Sequence, residues 1–220
     1  MIEKLASYLA PHYCYSCTKI GSVLCDNCKF YILDDTQELC IDCQKPSLNG
    51  ICAKCIKRAD YKRVWLVGKR QDALEDLINA YKFERVKSAI YACVELLDSR
   101  LPILPDNTII VPVPTVAKHI RIRGYDHTAI LAKQIAKIRN LNYSPILSRQ
   151  HNLTQFGSDA KTRHNQAASA FRVSEILHER PHLLIDDVVT TGATLKYAAK
   201  ALKDAGANEI WAAILARQNL

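Results

Sequence analysis

The sequence predicts two unequal parts, a small cysteine-rich domain over residues 1–60 and a larger α/β domain over residues 61–220. Two observations predict this division. Eight of the nine cysteines lie before residue 56, whereas short apolar runs alternate with helical patterns after residue 60. Strands that alternate with helices are typical of a doubly wound, mainly parallel sheet with helices on both faces. We therefore expect an α/β fold with a small N-terminal appendage.

The cysteines have the spacing of metal ligands. They form four Cys-x-x-Cys pairs, and such a turn places two thiolates on one side of a tight loop, as a tetrahedral zinc ion requires. We expect a zinc-binding domain with two structural ions, since four thiolates leave no open position for a catalytic water. Seven residues separate the first two pairs and eight separate the last two, so the repeat favours consecutive sets, with an interleaved arrangement as the alternative. The expected ligands are Cys14, Cys17, Cys25, Cys28, Cys40, Cys43, Cys52 and Cys55.

The larger part has the pattern of alternating strands and helices. Its last segment follows the order strand, helix, strand over about thirty residues, which predicts a βαβ unit with two parallel strands. Strands are predicted at 64–68, 108–114, 182–185 and 209–216, with a further strand near 144–150. Helices are predicted at 70–83, 86–101, 126–139 and 194–207, with a short helix near 159–168.

The net charge is +8, and it is unevenly distributed. Residues 1–60 hold seven basic and seven acidic residues, so the whole excess belongs to residues 61–220. A basic body suits nucleic acid, phosphorylated small molecules or anionic lipid; scattered surface charge that serves solubility is the alternative. No apolar run approaches the roughly 20 residues of a membrane-spanning helix, and no secretory signal is evident. We therefore expect a cytoplasmic protein without a transmembrane segment.

The stretch LLIDDVVTTGATL, residues 183–195, predicts a phosphate-binding loop. DDVVTTGA is expected to form a loop between a buried strand and a helix that begins near Thr194. The first amides of a helix have no intrahelical acceptor and, with the helix dipole, favour a phosphate. Adjacent carboxylates accept hydrogen bonds from sugar hydroxyls or share a magnesium ion. The ligand inferred is a ribose 5-phosphate, held by Asp186, Asp187, Val188, Val189, Thr190, Thr191, Gly192, Ala193 and Thr194.

These residues carry a resemblance to a known family. The pattern hydrophobic-DD-hydrophobic-hydrophobic-TTGAT resembles the phosphoribosyl diphosphate (PRPP) signature of the type I phosphoribosyltransferases. The order of further motifs along nearly the whole chain is similar to the ComF family of competence proteins, which includes ComFC and GntX-like proteins. Those motifs are the Cys-x-x-Cys pairs, AYKF at 80–83, VPVP at 111–114, RGYDH at 123–127, TQ at 154–155 and AF at 170–171.

The resemblance implies a function in natural transformation. ComF proteins handle incoming single-stranded DNA on the cytoplasmic side, with a DEAD-box-like DNA-uptake translocase as a suggested partner. By position, Asp186 and Asp187 would be the catalytic pair that faces the ribose of PRPP with Mg²⁺, and the loop from Thr190 to Thr194 would hold its 5-phosphate. The zinc segment stands where other phosphoribosyltransferases carry a hood that selects the nucleobase.

Two departures from the family pattern limit what can be carried over. The usual RG-aromatic-NQ is RGYDH in this chain, and the glycine that often follows the third Cys-x-x-Cys pair is Gln44. Any role of the replaced Asn and Gln is therefore not assigned to Asp126 and His127.

Several cations are weaker candidates for contacts with a diphosphate or a nucleic acid. Those in the segment 118–127 follow a predicted strand and either cover the diphosphate, grip a nucleic-acid backbone or form a solvated loop. Lys82 either reaches an anion or serves a helix dipole. The candidates are Lys82, Lys118, Arg121, Arg123 and Arg163.

The leading hypothesis is a phosphoribosyltransferase-like protein of the DNA-uptake machinery that binds PRPP with magnesium and contacts single-stranded DNA. Two alternatives stay open from the sequence. One is an active transferase that acts on a nucleobase or nucleotide in salvage, and the other is a scaffold protein that senses PRPP.

Overall fold

The computed structural model describes residues 12–34, 39–83, 87–149, 170–175 and 179–218. Within them, five parallel strands form one sheet in the order β1-β7-β6-β2-β3, and β4 and β5 form a separate antiparallel pair. The strands are β1 Arg63–Lys69, β2 Ile109–Pro112, β3 Asn142–Tyr143, β4 Leu147–Arg149, β5 Phe171–Val173, β6 Pro181–Val189 and β7 Glu209–Arg217. The helices are α1 Asp26–Asp34, α2 Asp72–Phe83, α3 Lys87–Arg100, α4 Ala117–Arg123, α5 His127–Ile138 and α6 Ala193–Asp204, with a 3₁₀ turn at Ile56–Arg58.

The sheet separates two hydrophobic cores. Successive side chains of a strand point to opposite faces, and Leu183 and Ile185 accordingly belong to one core while Leu184 belongs to the other. Helices α2, α3 and α5 pack in the first core; α6 and the β4-β5 pair pack in the second. This arrangement is the doubly wound α/β fold that the sequence predicts.

The cysteine-rich segment contributes to both cores. Its first part, residues 14–28, is called the first knuckle, and it places Cys14, Val23 and Leu24 in the core with α2 and α3. The second knuckle, residues 40–55, places Cys40 and Ile41 in the core with α6. The two knuckles therefore lie against opposite faces of the sheet.

The main elements agree with the sequence prediction, with one informative difference. The strand predicted at 182–185 continues to Val189, because its backbone pairs with β7 as far as Val189 opposite Arg217. The DDVV segment is thus part of β6 rather than of a loop. The helix predicted near 159–168 lies outside the described residues. In the part of the chain that is described, no helix is long and apolar enough to cross a membrane.

Candidate ligand-binding crevice and metal sites

The candidate crevice lies beyond the end of β2, whose last residue Pro112 pairs with Ile185, while β6 continues to Val189. These strands are neighbours in the sheet, yet the chain leaves β2 through α4 and α5 toward β3, and leaves β6 through α6 toward β7 on the other side. Strand connections that diverge in this way open a crevice beyond the carboxyl ends, where open α/β sheets bind ligands. Asp186 and Asp187 lie in the last part of β6, at this edge.

The loop that follows β6 is short and has the geometry of an anion cradle. It comprises the residues from Thr190 to Gly192, since α6 begins at Ala193. Gly192 has a φ of 75°, a left-handed conformation that favours glycine. Thr190 and Thr191 are exposed, and the first intrahelical bond runs from Lys196 N to Gly192 O at 3.0 Å. The amides before Lys196 in α6 have no intrahelical acceptor. The Ala193 amide lies 3.4 Å from Thr191 Oγ1, which leaves the amides of Thr194 and Leu195 to face an anion at the helix N-terminus.

Asp187 is not directed to solvent. Its side chain is 8% exposed, and its Oδ2 lies 2.5 Å from Nζ of Lys82 and 2.5 Å from Nε2 of His127. The Arg123 guanidinium, which can only donate, lies 3.0 Å from Nδ1 of His127. The same guanidinium nitrogen lies 3.4 Å from Nε2, so Nδ1 is its nearer acceptor. Asp187 Oδ2 thus lies at ion-pair distance from both the Lys82 ammonium and the His127 imidazole.

The two adjacent acids differ in their ionisation. Burial alone would raise the pKa of Asp187, but the hydrogen bond from His127 and the charge of Lys82 outweigh burial and hold that pKa below its usual range. Burial and repulsion from Asp187 raise the pKa of Asp186 well above its usual range. Asp186 is only partly exposed, and its Oδ1 accepts from the Asp187 amide at 2.9 Å. The environment therefore favours an ionised Asp187 beside a protonated Asp186.

Two motifs that are distant in sequence meet at Asp187. Lys82 belongs to AYKF at the end of α2, and His127 belongs to RGYDH at the start of α5. The Tyr81 hydroxyl donates to the His127 carbonyl, the Tyr125 hydroxyl donates to the Tyr81 carbonyl, and the Tyr81 and His127 rings meet edge to face with centroids 6.0 Å apart. Sequence reasoning missed this convergence; the only available signal was the polar Lys82 directly after an apolar helix face.

The residues that replace the usual Asn and Gln of the motif have structural contacts of their own. Asp126 caps α5, since its side chain accepts from the Ala129 amide at 3.1 Å, and it also accepts from the Thr115 hydroxyl at 2.9 Å. His127 is buried against Asp187. The sequence prediction assigned neither residue the role of the amide that it replaces.

The other predicted cations have different surroundings. Lys118 and Arg121 are exposed on α4, the helix that follows β2. Arg123 lies over the Phe83 ring, 4.8 Å from its centroid, as well as against His127. Lys82 is mostly buried at Asp187, so the anion that it reaches is internal. Arg163 lies outside the described residues.

The eight paired cysteines form two sets of four. Each set brings its four Sγ atoms within 4.8 Å of one another, and the Sγ atoms are 3.6 Å apart for Cys17 and Cys25 and for Cys43 and Cys52. Sulfur atoms of a tetrahedral zinc site are about 3.8 Å apart, given Zn–S bonds of about 2.3 Å. The donor sets therefore fit zinc. The consecutive pairing predicted from the repeat is confirmed, and the interleaved alternative is excluded for this structure.

The knuckles repeat the same backbone geometry. The Thr18 amide bonds the Cys14 carbonyl at 2.9 Å, and the Gln44 amide bonds the Cys40 carbonyl at 2.9 Å. Thr18 and Gln44 both have a φ of 59°, which explains why a glycine suits this position.

Hydrogen bonds favour the thiolate form of a cysteine in each set. Although burial raises it, amide hydrogen bonds lower the pKa of Cys14 to about 6. The Cys55 amide lowers the pKa of Cys52 to about 6. Thiolates are the form in which cysteine binds metal.

Residues 124–219 match the phosphoribosyl transferase domain family. Together with the parallel sheet and the crevice, this match defines a protein with a domain of the phosphoribosyltransferase type. A solved allosteric regulatory enzyme of purine biosynthesis aligns with 58% of this chain at 15% identity and a TM-score of 0.41; this chain covers 26% of that protein.

Curated relatives extend over most of the chain. Competence protein F of Haemophilus influenzae is 29% identical over 76% of this chain and 78% of its own length. The DNA utilization protein YhgH of Escherichia coli is 27% identical over 79% of this chain and 82% of its own. Competence protein ComFC of Bacillus subtilis is 23% identical over 83% of this chain and 79% of its own length. The chain is thus similar, over most of its length, to competence and DNA utilization proteins, and it carries a match to the phosphoribosyl transferase domain. These similarities support the ComF family and a role in competence.

Proposed function

We propose that this chain binds PRPP with Mg²⁺ in the crevice between β2 and β6, and that it acts in natural transformation by handling single-stranded DNA in the cytoplasm. The observation that carries the ligand assignment is the short loop from Thr190 to Gly192, which ends at the N-terminus of α6 beside Asp186. The competence names of the relatives support the cellular role.

The crevice offers separate contacts to the two ends of a ribose 5-phosphate. The exposed Thr190 and Thr191 and the first amides of α6 suit the phosphate. Asp186 suits the ribose hydroxyls or a magnesium ion, because carboxylate oxygens are preferred ligands of Mg²⁺. Asp187 is occupied by Lys82 and His127, so it supports Asp186 rather than the ligand. Magnesium would neutralise the diphosphate of PRPP.

The exposed face of α4 supports the DNA assignment. Lys118 and Arg121 are exposed there, and cations of this kind bind the phosphates of a nucleic acid. Two apolar side chains that neighbour predicted cations in the sequence are also exposed. Ile122, on α4, is 66% exposed, and Phe83, at the end of α2, is 60% exposed. The Phe83 ring, which carries the Arg123 guanidinium over one face, suits stacking with an unstacked base of a single strand on its exposed side.

Titration calorimetry with PRPP, with and without Mg²⁺, tests the ligand. We expect binding that requires Mg²⁺ and that falls at least tenfold, about 1.4 kcal/mol, in Asp186→Asn. Asp204→Asn is the matched control, since Asp204 lies at the far end of α6, paired with Lys200. Equal affinities of wild type and Asp186→Asn would refute the assignment.

Fluorescence anisotropy with a labelled single-stranded oligonucleotide tests the DNA surface. The double variant K118A/R121A removes two exposed cations of α4, so both the affinity and its salt dependence should fall, with a slope smaller by about 2. K133A/K137A removes two exposed cations of α5 and is the control. Wild-type protein that does not bind at low salt would contradict the proposal.

Two further measurements separate this function from salvage. A transferase that consumes PRPP would release diphosphate only when a nucleobase or nucleotide is added. A transformation assay in a strain with Asp186→Asn would show lost uptake if the crevice serves competence, and normal uptake would refute that role. The family resemblance supports a DNA-uptake translocase as the protein partner.

A further inference from the structure

The second knuckle brings an acid to the phosphate loop. Asp42 lies between the ligands Cys40 and Cys43, and its side chain is 9% exposed. Its Oδ2 is 3.1 Å from Nζ of Lys196, in the second turn of α6. A Cβ atom placed on Gly192 would lie 3.6 Å from Asp42 Oδ1. The Asp42 carboxylate therefore lies close to Gly192 of the phosphate loop and to Lys196, the first cation of α6.

Asp42 is held in this position from several directions. The buried Tyr61 donates its hydroxyl to Oδ1 at 2.8 Å. The Arg217 guanidinium, at the end of β7, donates to the carbonyl of Ile41, the residue before Asp42. The thiolates of Cys40 and Cys43 would be fixed by a common metal ion. These contacts fix the position of the Asp42 carboxylate beside the phosphate loop.

Lys196 is placed to act on that anion. Helical side chains lean toward the helix N-terminus, and Lys196 is three residues into α6, with its side chain 43% exposed. Its charge would attract a phosphate at Thr190 and Thr191. The opposite charge of Asp42, at ion-pair distance, offsets that attraction.

We propose that Asp42 is a specificity-determining residue of the phosphate loop, in that it cancels the charge of Lys196 and so weakens the binding of simple anions. The inference rests on the proposed phosphate site and names how that site selects its ligand. An inorganic phosphate gains little from a neutral pair, whereas a ribose 5-phosphate adds contacts between its hydroxyls and Asp186. The pair therefore lowers the affinity for any phosphate group, so that a ligand depends more on its additional contacts with Asp186 to bind.

The test measures the dissociation constants of inorganic phosphate and of ribose 5-phosphate for four proteins. One unit charge removed at this range changes the affinity about fivefold. We expect Asp42→Asn to bind inorganic phosphate about fivefold more tightly, Lys196→Met about fivefold more weakly, and the double variant close to wild type. Lys200→Met, one turn further along α6 and paired with Asp204, is the control and should change neither constant.

The outcomes separate this inference from the proposed function. A wild-type protein that binds neither phosphate refutes both. A wild-type protein that binds them, with Asp42→Asn unchanged or weaker for inorganic phosphate, overturns only the role of Asp42. Metal content and thermal unfolding report whether Asp42→Asn keeps its fold. If Asp42→Asn does not keep its fold, the affinities of Lys196→Met and Lys200→Met for inorganic phosphate are compared instead. Equal affinities of these two surface variants overturn the inference.

Discussion

Lys82 and Asp187 form a buried ion pair, with 2.5 Å between Nζ and Oδ2. The pair joins the end of α2 to the end of β6, and His127 completes it from α5. Asp187→Asn removes the charge and leaves the Lys82 ammonium without its counter-ion. We expect a loss of about 3–5 kcal/mol in the free energy of unfolding, measured by urea denaturation.

Asp186→Asn should have the opposite effect on stability. The raised pKa of Asp186 means that its ionised form is disfavoured in the fold, and a neutral amide avoids that cost. We expect a higher midpoint of urea unfolding at neutral pH, together with the loss of ligand binding described above. A variant that is less stable than wild type would show that the Asp186 carboxylate is needed by the fold.

The two acids also predict how stability depends on pH. The folded pKa of Asp187 is depressed, so its stabilisation is present above the unfolded value of about 3.9 and is lost as the pH falls below it. The folded pKa of Asp186 is raised, so its cost is absent in acid, builds up as the pH rises above the unfolded value of about 3.9, and is complete above the folded value. In thermal unfolding between pH 3 and pH 8, the difference in stability between wild type and each variant, Asp187→Asn or Asp186→Asn, should therefore shrink as the pH falls. A difference that stays constant over this range would contradict the assignment.

Gln44→Gly should stabilise the second knuckle. Gln44 is exposed and has a φ of 59°, which a side chain with a Cβ atom adopts only with strain. Relief of that strain, less the entropy that glycine loses on folding, leaves a gain of about 0.5 kcal/mol. Gln44→Ala keeps the Cβ atom and serves as the control. A gain in the alanine variant as large as that in the glycine variant would point away from backbone strain.

The metal content of paired cysteine variants tests the two sites. We expect about two zinc ions per chain if each ion takes four thiolates. C17S/C25S removes two ligands of one set and should leave one ion, whereas C17S/C43S removes one ligand of each set and should disturb both. The buried Cys93, outside both sets, provides the control variant C93S. The reverse pattern would indicate interleaved ligands.

Local patterns were sufficient for much of the fold. Apolar periodicity predicted the strands and helices, because burial on one or both faces of a regular element leaves a direct trace in the sequence. The cysteine spacing likewise predicted the consecutive sets, since Cys-x-x-Cys turns and a repeat are local features. The end of β6 was missed because Asp186 and Asp187 break the apolar run, while pairing with β7 keeps the backbone extended.

The partners of the site residues were beyond such reasoning. Lys82, His127 and Asp187 lie far apart in the chain, and no periodicity reports which side chains meet across a sheet edge. The pairing of Asp42 with Lys196 depends in the same way on how the second knuckle docks against α6. Charge balance offers a general signal, since a buried acid must find cations, but it does not identify them.

The contact from Arg217 to the carbonyls of Cys40 and Ile41 has a consequence for how the chain assembles during synthesis. The knuckles leave the ribosome before β7, which supplies Arg217. The cysteines therefore exist for a time without the strand that later holds them. Capture of metal by each knuckle alone would hold its seven-residue or eight-residue loop in place until β7 joins the sheet. Zinc supply during synthesis should therefore influence the yield of folded protein.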